Sequence, residues 1–129
     1  MYLLRYQQGQ EYKPHFDYFD IQTQQKHIGS AGNRVATVVM YLSDVEEGGE
    51  TYFPNAEGGE KLVKPKKGDA VLFWDYTPGP YLFPFHSASQ LLTRSCLDGK
   101  PDPLSLHGGR PVIKGVKWSL TRWIRAKPF

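Results

Sequence analysis

The chain has 129 residues, a length that accommodates one hydrophobic core and no second domain of ordinary size. Its formal net charge is +3 and its basic residues are scattered, which argues against a nucleic-acid-binding protein. Cys96 is the single cysteine, so an internal disulfide is excluded, and no apolar run is long enough for a signal peptide or a transmembrane helix. Thirteen glycines and ten prolines indicate many turns, as expected for an all-β domain.

The first informative element is a predicted strand that contains His15 and Asp17. In an extended segment residues i and i+2 point to the same side, so these two side chains could bind one ion. Together with a second histidine, such as His107, they would form the facial triad that holds Fe(II) and leaves a face open for a co-substrate and O₂. By itself the pair is better explained as two polar residues on a solvated strand face, and the metal-site interpretation depends on the segment around His107.

Further strands are predicted in the middle of the chain. Residues 34–42 are β-branched and apolar on both faces, which fits a strand buried between two sheets. Gly48 and Gly49 predict a turn, after which residues 50–53 return as a partner strand. A second turn at Gly68 and Asp69 leads into a short buried strand at 70–74.

The segment from about 76 to 96 breaks this pattern. It is rich in proline and glycine and has no convincing strand alternation, and structureless loops of this length are uncommon in compact domains. We interpret it as an insertion, either a genuine loop over the active site or translated intron sequence. His86, inside this segment, and His27, in an earlier polar run, are predicted to be bystanders rather than metal ligands.

The last predicted strand, at 117–125, has two different faces. One face is polar except for an aromatic residue, and it consists of Lys117, Ser119, Thr121, Trp123 and Arg125. The other face is mostly large and apolar. Such a strand suits a barrel wall that lines a pocket, and the succession of short antiparallel strands predicts a double-stranded β-helix, a relative of the jelly roll.

Several motifs, in the same order, resemble the catalytic domain of prolyl 4-hydroxylases of the plant and algal type. They are Tyr12 to Phe19 with its His-x-Asp pair, Gly32 to Thr37, Glu46 to Thr51, Asp102 to Gly109, and Pro111 to Trp118. The resemblance covers residues 1 to about 75 and about 97 to 125. It implies one Fe(II)/2-oxoglutarate dioxygenase domain over residues 1–129, with barrel strands upstream, so the chain is expected to be truncated and its fold incomplete at the N-terminus.

The resemblance also implies roles for particular residues. Iron would be bound by His15, Asp17 and His107. The far carboxylate of 2-oxoglutarate would be bound by Lys117, with Tyr6 and Thr37 as further candidates. Contacts with a peptide substrate are implied for Tyr12, Arg34, Trp123 and Arg125. Arg125 stands where many relatives have histidine and Arg110 where many have cysteine, and both departures put the substrate preference in doubt.

The activity that the resemblance implies is hydroxylation of C4 of peptidyl proline. The reaction would consume 2-oxoglutarate and O₂, release succinate and CO₂, and use ascorbate as a cofactor beside Fe(II). The expected partner is a proline-rich peptide or protein, and the expected compartment is the endoplasmic reticulum. Two alternatives stay open: an inactive jelly-roll fragment that binds metal or peptide, and a 2-oxoglutarate oxygenase with a different substrate.

Overall fold

The computed structural model describes residues 1–77 and 99–125. This part of the chain consists mainly of short strands: β1 (Tyr2–Tyr6), β2 (Tyr12–His15), β3 (Arg34–Tyr41), β4 (Glu47–Gly48), β5 (Thr51–Phe53), β6 (Lys61–Val63), β7 (Ala70–Trp74), β8 (His107–Gly109), β9 (Val112–Lys114) and β10 (Lys117–Arg125). A four-residue helix, α1 (Gln25–Ile28), and short 3₁₀ turns at Gly29–Ala31 and Pro103–Ser105 connect them. None of the described helices is long and apolar enough to cross a membrane.

Two antiparallel sheets of four strands form the body of the domain. The first sheet has the order β1-β10-β3-β7 and the second has the order β2-β8-β5-β6, while β4 and β9 form a separate pair. The two sheets face each other, since the Tyr41 hydroxyl on β3 donates to Thr51 Oγ1 on β5 at 2.8 Å. Phe53 and Phe73 meet across the same gap with ring centroids 5.1 Å apart. The predicted all-β jelly roll is confirmed.

Strand β3 lies at the centre of the first sheet, between β10 and β7. Thr37, Val39 and Tyr41 face the second sheet and are buried. Val38 and Met40, on the opposite face, are only half-buried, so the prediction of a strand buried between two sheets is wrong for that face. An apolar run shows that a strand is internal to a sheet but does not show which of its faces a second layer covers.

The predicted pairing of β3 with residues 50–53 is also wrong. Strand β5 pairs with β6 and β8 in the second sheet, and the chain between β3 and β5 crosses from one sheet to the other. At this crossing Gly48 has a φ of +76°, and a Cβ there would lie 2.3 Å from the carbonyl oxygen of Pro111. Glycine is therefore required at this position by close backbone approach as much as by the dihedral angle.

The predicted insertion at 76–96 lies, from residue 78 onwards, outside the described residues, and so does His86. The described residues on either side of the gap are hydrogen-bonded to each other. The Thr77 amide donates to the Lys100 carbonyl at 2.8 Å, and Tyr76 and Pro101 form an antiparallel bridge. The described residues on the two sides of 78–98 therefore belong to one hydrogen-bonded unit.

Candidate metal and co-substrate site

The two histidines of the predicted triad are brought together by strand pairing. His15 on β2 lies directly opposite His107 on β8, with ring centroids 4.5 Å apart. Asp17 does not lie on the strand with His15, as the sequence predicted, but in a bend two residues beyond the end of β2. The bend still turns its carboxylate back towards both imidazoles. The side chains of His15 and Asp17 therefore lie on the same side of the chain, as predicted, although the strand has ended.

The donor atoms converge on one point. His15 Nε2 is 3.5 Å from Asp17 Oδ1, and His107 Nε2 is 3.6 Å from Asp17 Oδ2. Both Nδ1 atoms face backbone carbonyls, of Lys13 at 2.8 Å and of Ser105 at 2.9 Å. Because a carbonyl can only accept, Nδ1 carries a proton in each ring, so Nε2 is the nitrogen that would bind a metal ion.

The electrostatics of the group suit a cation. Burial would raise the pKa of Asp17, but the hydrogen bond with His15 and the charge of His107 outweigh it and lower the pKa to about 2. Burial lowers the pKa of His107. One carboxylate and two imidazoles on one side of an ion are the donor set of non-haem Fe(II) sites. Within the described residues, no other group of three or more potential ligands comes together in this way.

A cavity of about 340 Å³ opens beside this group. It lies between the two sheets, and it is lined by Tyr2, Leu4, Tyr6, Tyr12, His15, Asp17, Arg34, Val39, Thr51, His107, Gly108, Gly109, Ser119, Thr121 and Trp123. The predicted alternation of β10 is confirmed, since Ser119, Thr121 and Trp123 all face the cavity. The lining includes the exposed aromatic side chains of Tyr2 and Tyr12 and the hydroxyl groups of Thr51, Ser119 and Thr121.

Lys117 lies just behind this lining and is 5% exposed. Its Nζ donates to the Gly49 carbonyl at 2.7 Å, and no carboxylate forms an ion pair with it among the described residues. Burial lowers its pKa to about 8, and the charge of Glu50 opposes this shift without cancelling it. Gly109 lines the cavity, and a Cβ there would lie 3.6 Å from Nζ, so the ammonium lies next to the cavity wall. A buried cation without a counter-ion is costly unless an anion binds beside it.

The two other residues that were predicted to contact 2-oxoglutarate, Tyr6 and Thr37, have different surroundings in the structure. Tyr6 lines the cavity, and its ring centroid is 5.5 Å from Lys117 Nζ. Burial raises the pKa of Tyr6 to about 12, so its hydroxyl keeps its proton and can donate. The Thr37 hydroxyl is instead engaged by Asp17 Oδ2 at 2.8 Å and Asp75 Oδ2 at 2.9 Å, so it is not available for the role predicted from the sequence.

Three of the four predicted peptide contacts line the cavity. Tyr12 is 48% exposed and packs on His15, with ring centroids 4.0 Å apart. The Arg34 guanidinium lies 3.6 Å from the ring centroid of Trp123 and is oriented by a hydrogen bond to the Asp17 carbonyl at 3.1 Å. Arg125 does not line the cavity, because its Nη1 donates to the carbonyls of residues 27 and 32 and holds that loop against β10.

Sequence reasoning missed Asp75, which is fully buried beside Thr37. The available signal was an acidic residue immediately after the apolar strand β7, at a point where the next residues were assigned to the insertion. His27, by contrast, stacks on Phe19 with ring centroids 5.2 Å apart, and it is not part of the metal group.

Fold and site together define a class: a jelly-roll domain with two histidines and one aspartate at one side of a cavity and a buried lysine behind its wall. The family model described as "2OG-Fe(II) oxygenase superfamily" matches residues 1–125. The chain therefore belongs to the 2OG-Fe(II) oxygenase superfamily.

Relatives with recorded names agree with this assignment. "Probable prolyl 4-hydroxylase 10" of Arabidopsis thaliana is 43% identical over 98% of this chain, and "Prolyl 4-hydroxylase 1" of the same plant is 44% identical over 97%. This chain spans 42% and 40% of the length of those proteins. Among solved structures, the 2OG complex of the viral collagen prolyl hydroxylase from Paramecium Bursaria Chlorella virus-1 matches with a TM-score of 0.69 and 32% identity, over 96% of this chain and 56% of that one.

Proposed function

We propose that the protein is an Fe(II)- and 2-oxoglutarate-dependent dioxygenase that hydroxylates C4 of proline in peptides. One observation carries this proposal: three convergent metal ligands line a cavity, and a buried lysine without an ion-pair partner among the described residues lies just behind its wall. The substrate class is inferred from the names of the relatives, because those proteins are similar to this chain over nearly its whole length. The residues present fit both the metal ion and a dicarboxylate.

Each group in the cavity would have a distinct task. His15, Asp17 and His107 would hold Fe(II) on one side, because their free Nε2 and carboxylate oxygen atoms converge there. Lys117 and the Tyr6 hydroxyl would bind the far carboxylate of 2-oxoglutarate through a charge-assisted and a neutral hydrogen bond. When bound, Fe(II), 2-oxoglutarate and O₂ supply the oxidant that converts C–H to C–OH, with release of succinate and CO₂.

The outer end of the cavity would bind the peptide. Tyr12, Trp123 and the stacked Arg34 form an aromatic and planar wall next to the triad. A proline in the polyproline II conformation presents a flat apolar ring to such a wall, and its preformed extended backbone reduces the entropic cost of binding. The same wall would exclude water from the reacting carbon.

Binding of iron and co-substrate can be tested without turnover. Anaerobic addition of Fe(II) and 2-oxoglutarate should produce a visible metal-to-ligand charge-transfer band in the wild-type chain but none in His107→Ala. Absence of the band in the wild type would favour the alternative of an inactive fragment.

The reaction itself is tested with oxygen and a proline-rich peptide. Mass spectrometry should find 4-hydroxyproline and succinate in equal amounts, and a matched peptide with alanine in place of proline should yield no hydroxylated product. Succinate formation that proline-rich peptides do not stimulate would instead indicate a 2-oxoglutarate oxygenase with another substrate.

We infer two further properties from the resemblance of the motifs to prolyl 4-hydroxylases. Ascorbate should sustain turnover over many cycles, which a comparison of progress curves with and without ascorbate would test. The protein that contains this domain should act in the endoplasmic reticulum, where proline-rich secreted proteins pass. Imaging of the tagged full-length protein together with a marker of that compartment would test this location.

A further inference from the structure

A chain of three oxygen atoms connects the metal ligand Asp17 to a second buried carboxyl group. The Thr37 hydroxyl oxygen lies 2.8 Å from Asp17 Oδ2 and 2.9 Å from Asp75 Oδ2. All three residues are buried, and Thr37 and Asp75 are 0% exposed. Asp75 itself is held in place by its backbone, since its amide donates to the Val35 carbonyl and its carbonyl accepts from the Asp102 amide.

Counting protons determines the direction of these hydrogen bonds. A threonine hydroxyl has one proton and can donate it to only one of the two carboxyl groups. The second contact then requires a proton from the other partner, because two lone pairs at hydrogen-bond distance would repel each other. A carboxylate that binds a metal ion is ionised, so the proton belongs on Asp75 Oδ2.

The surroundings of Asp75 agree with a neutral acid. Its other oxygen, Oδ1, has no hydrogen-bond partner among the described residues, and an ionised carboxylate in that position would be strongly disfavoured. Burial and the nearby charge of Asp17 raise the pKa of Asp75 to about 7. The hydrogen bond from Thr37 and the positive charges of Arg34 and His15 oppose this shift without cancelling it.

We propose that Asp75 is a positioning residue for the metal centre: as a carboxylic acid it donates to Thr37, which in turn donates to Asp17 and holds that carboxylate in its metal-binding orientation. The proposal rests on the assignment of Asp17 as an iron ligand in the proposed function. Asp75 would not touch metal or substrate. Partners of this kind in other metal sites change metal affinity about 10- to 100-fold when they are removed.

The test is the anaerobic affinity for Fe(II), measured by calorimetry in the presence of 2-oxoglutarate. Asp75→Leu removes the donor and keeps the same branched arrangement of heavy atoms, and Thr37→Val removes the hydroxyl isosterically. Each should weaken Fe(II) binding about 10- to 100-fold. The double variant should be no weaker than the weaker single variant, because both changes interrupt the same chain of hydrogen bonds.

Rescue by the conservative variant distinguishes positioning from a general structural role. In Asp75→Asn the amide N–H can donate to Thr37 as the acid does, so its Fe(II) affinity should stay within about threefold of the wild type. Thr23→Val, a change of the same kind as Thr37→Val, removes an exposed hydroxyl that donates to Asp20 outside the cavity lining, and it should leave Fe(II) affinity unchanged.

Three results would overturn the proposal: unchanged Fe(II) affinity in Asp75→Leu, additive losses in the double variant, or an equal loss in Asp75→Asn and Asp75→Leu. Hydroxylation is measured separately in the wild-type chain. A wild type that binds Fe(II) but forms no hydroxyproline would refute the proposed substrate, while the pattern of affinities would still decide the role of Asp75.

Discussion

At the scale of single residues, Lys117 shows how the site departs from what would best stabilise the fold. Its ammonium is buried, its described hydrogen-bond partner is a neutral carbonyl, and its pKa is lowered to about 8 by burial. A group in this state gains most when an anion arrives, because the anion restores the interaction energy that water supplied in the unfolded chain. The ammonium lies next to Gly109, which lines the cavity where that anion would bind.

Replacing Lys117 by alanine should therefore weaken 2-oxoglutarate binding and leave metal binding nearly intact. Loss of a charge-assisted partner in a poorly solvated pocket costs about 2–4 kcal/mol. The matched control is Lys114→Ala, which removes an exposed lysine paired with Glu46 and should change neither constant. Calorimetric titration with 2-oxoglutarate decides the matter. An unchanged dissociation constant in Lys117→Ala would transfer the role to another cation.

The lowered pKa of Lys117 also predicts a pH dependence. Only the protonated amine attracts the carboxylate, so affinity for 2-oxoglutarate should be constant below the pKa of about 8 and should decrease as pH rises above it. By linkage the decrease approaches about tenfold per pH unit. Titrations of the Mn(II)-loaded protein across this range would measure it. Lys117→Arg, whose charge persists, should show no such decrease, and a flat profile in the wild type would contradict the prediction.

Removal of any triad side chain should weaken Fe(II) binding much more than removal of the Lys117 side chain does. With His15→Ala or Asp17→Ala, two protein ligands remain, and these should hold Fe(II) more than about 100-fold less tightly, beyond the usual loss for an outer partner. Hydroxylation should become undetectable. His27→Ala removes a histidine outside the metal group and should retain full affinity. Near-normal turnover in either triad variant would refute the assignment.

At the scale of elements, the site depends on places where two strands approach unusually closely. The short pair of β4 and β9 is one of them. A side chain at position 48 would overlap Pro111 and Ile113, so only glycine fits there. The adjacent carbonyl of Gly49 is the partner of Lys117, so this pair also fixes the position of the ammonium. Backbone geometry at β4 and charge placement at β10 are therefore coupled.

Gly48→Ala should destabilise the domain by about 2–5 kcal/mol, the sum of a left-handed backbone conformation and a severe steric overlap. Gly9→Ala is the matched control, since Gly9 has a φ of +81° but no atom within 4 Å of a Cβ. Gly9→Ala should lower the free energy of unfolding by only about 1–2 kcal/mol, the cost of a left-handed backbone conformation in alanine. Denaturant unfolding measures both changes. Equal losses in the two variants would show that the contact with Pro111 is unimportant.

At the scale of the whole molecule, the residues before and after the undescribed segment at 78–98 are joined by hydrogen bonds between Thr77 and Lys100. The ends of this segment already meet, so shortening it changes only the entropic cost of closing the loop. That cost is small, since each doubling of loop length changes it by only about 0.6 kcal/mol. Replacement of 78–98 by a short Asn-Gly turn should thus leave the fold and the binding of Fe(II) and 2-oxoglutarate intact.

Thermal unfolding and the charge-transfer band are the measurements for this replacement. Loss of either would contradict the interpretation of the segment as an insertion that the fold does not need. If the band survives but peptide hydroxylation disappears, the segment takes part in substrate binding. A natural transcript that skips these codons would identify the segment as translated intron sequence.

Much of the chemistry was predictable from the sequence, because it depends on residue type and local spacing. The motifs correctly indicated that His15, Asp17 and His107 come together, although Asp17 lies beyond the end of β2, and the alternation of β10 correctly placed Ser119, Thr121 and Trp123 on the cavity side. Alternation in a strand survives any choice of partner, so the inward face of β10 could be derived without knowing which strands flank it. The β class of the fold follows for the same reason.

Only the tertiary structure decided which strands pair and what the buried polar groups do. Strand β5 pairs within the second sheet, and Arg125 donates a hydrogen bond to the Gly32 carbonyl. The Thr37 hydroxyl is hydrogen-bonded to Asp17, so it does not take the co-substrate role predicted for it. Asp75 became significant only when folding brought β7 next to β3. Each of these contacts joins residues far apart in sequence. Local pattern does not encode such contacts, since they are selected by the packing of the two complete sheets against each other.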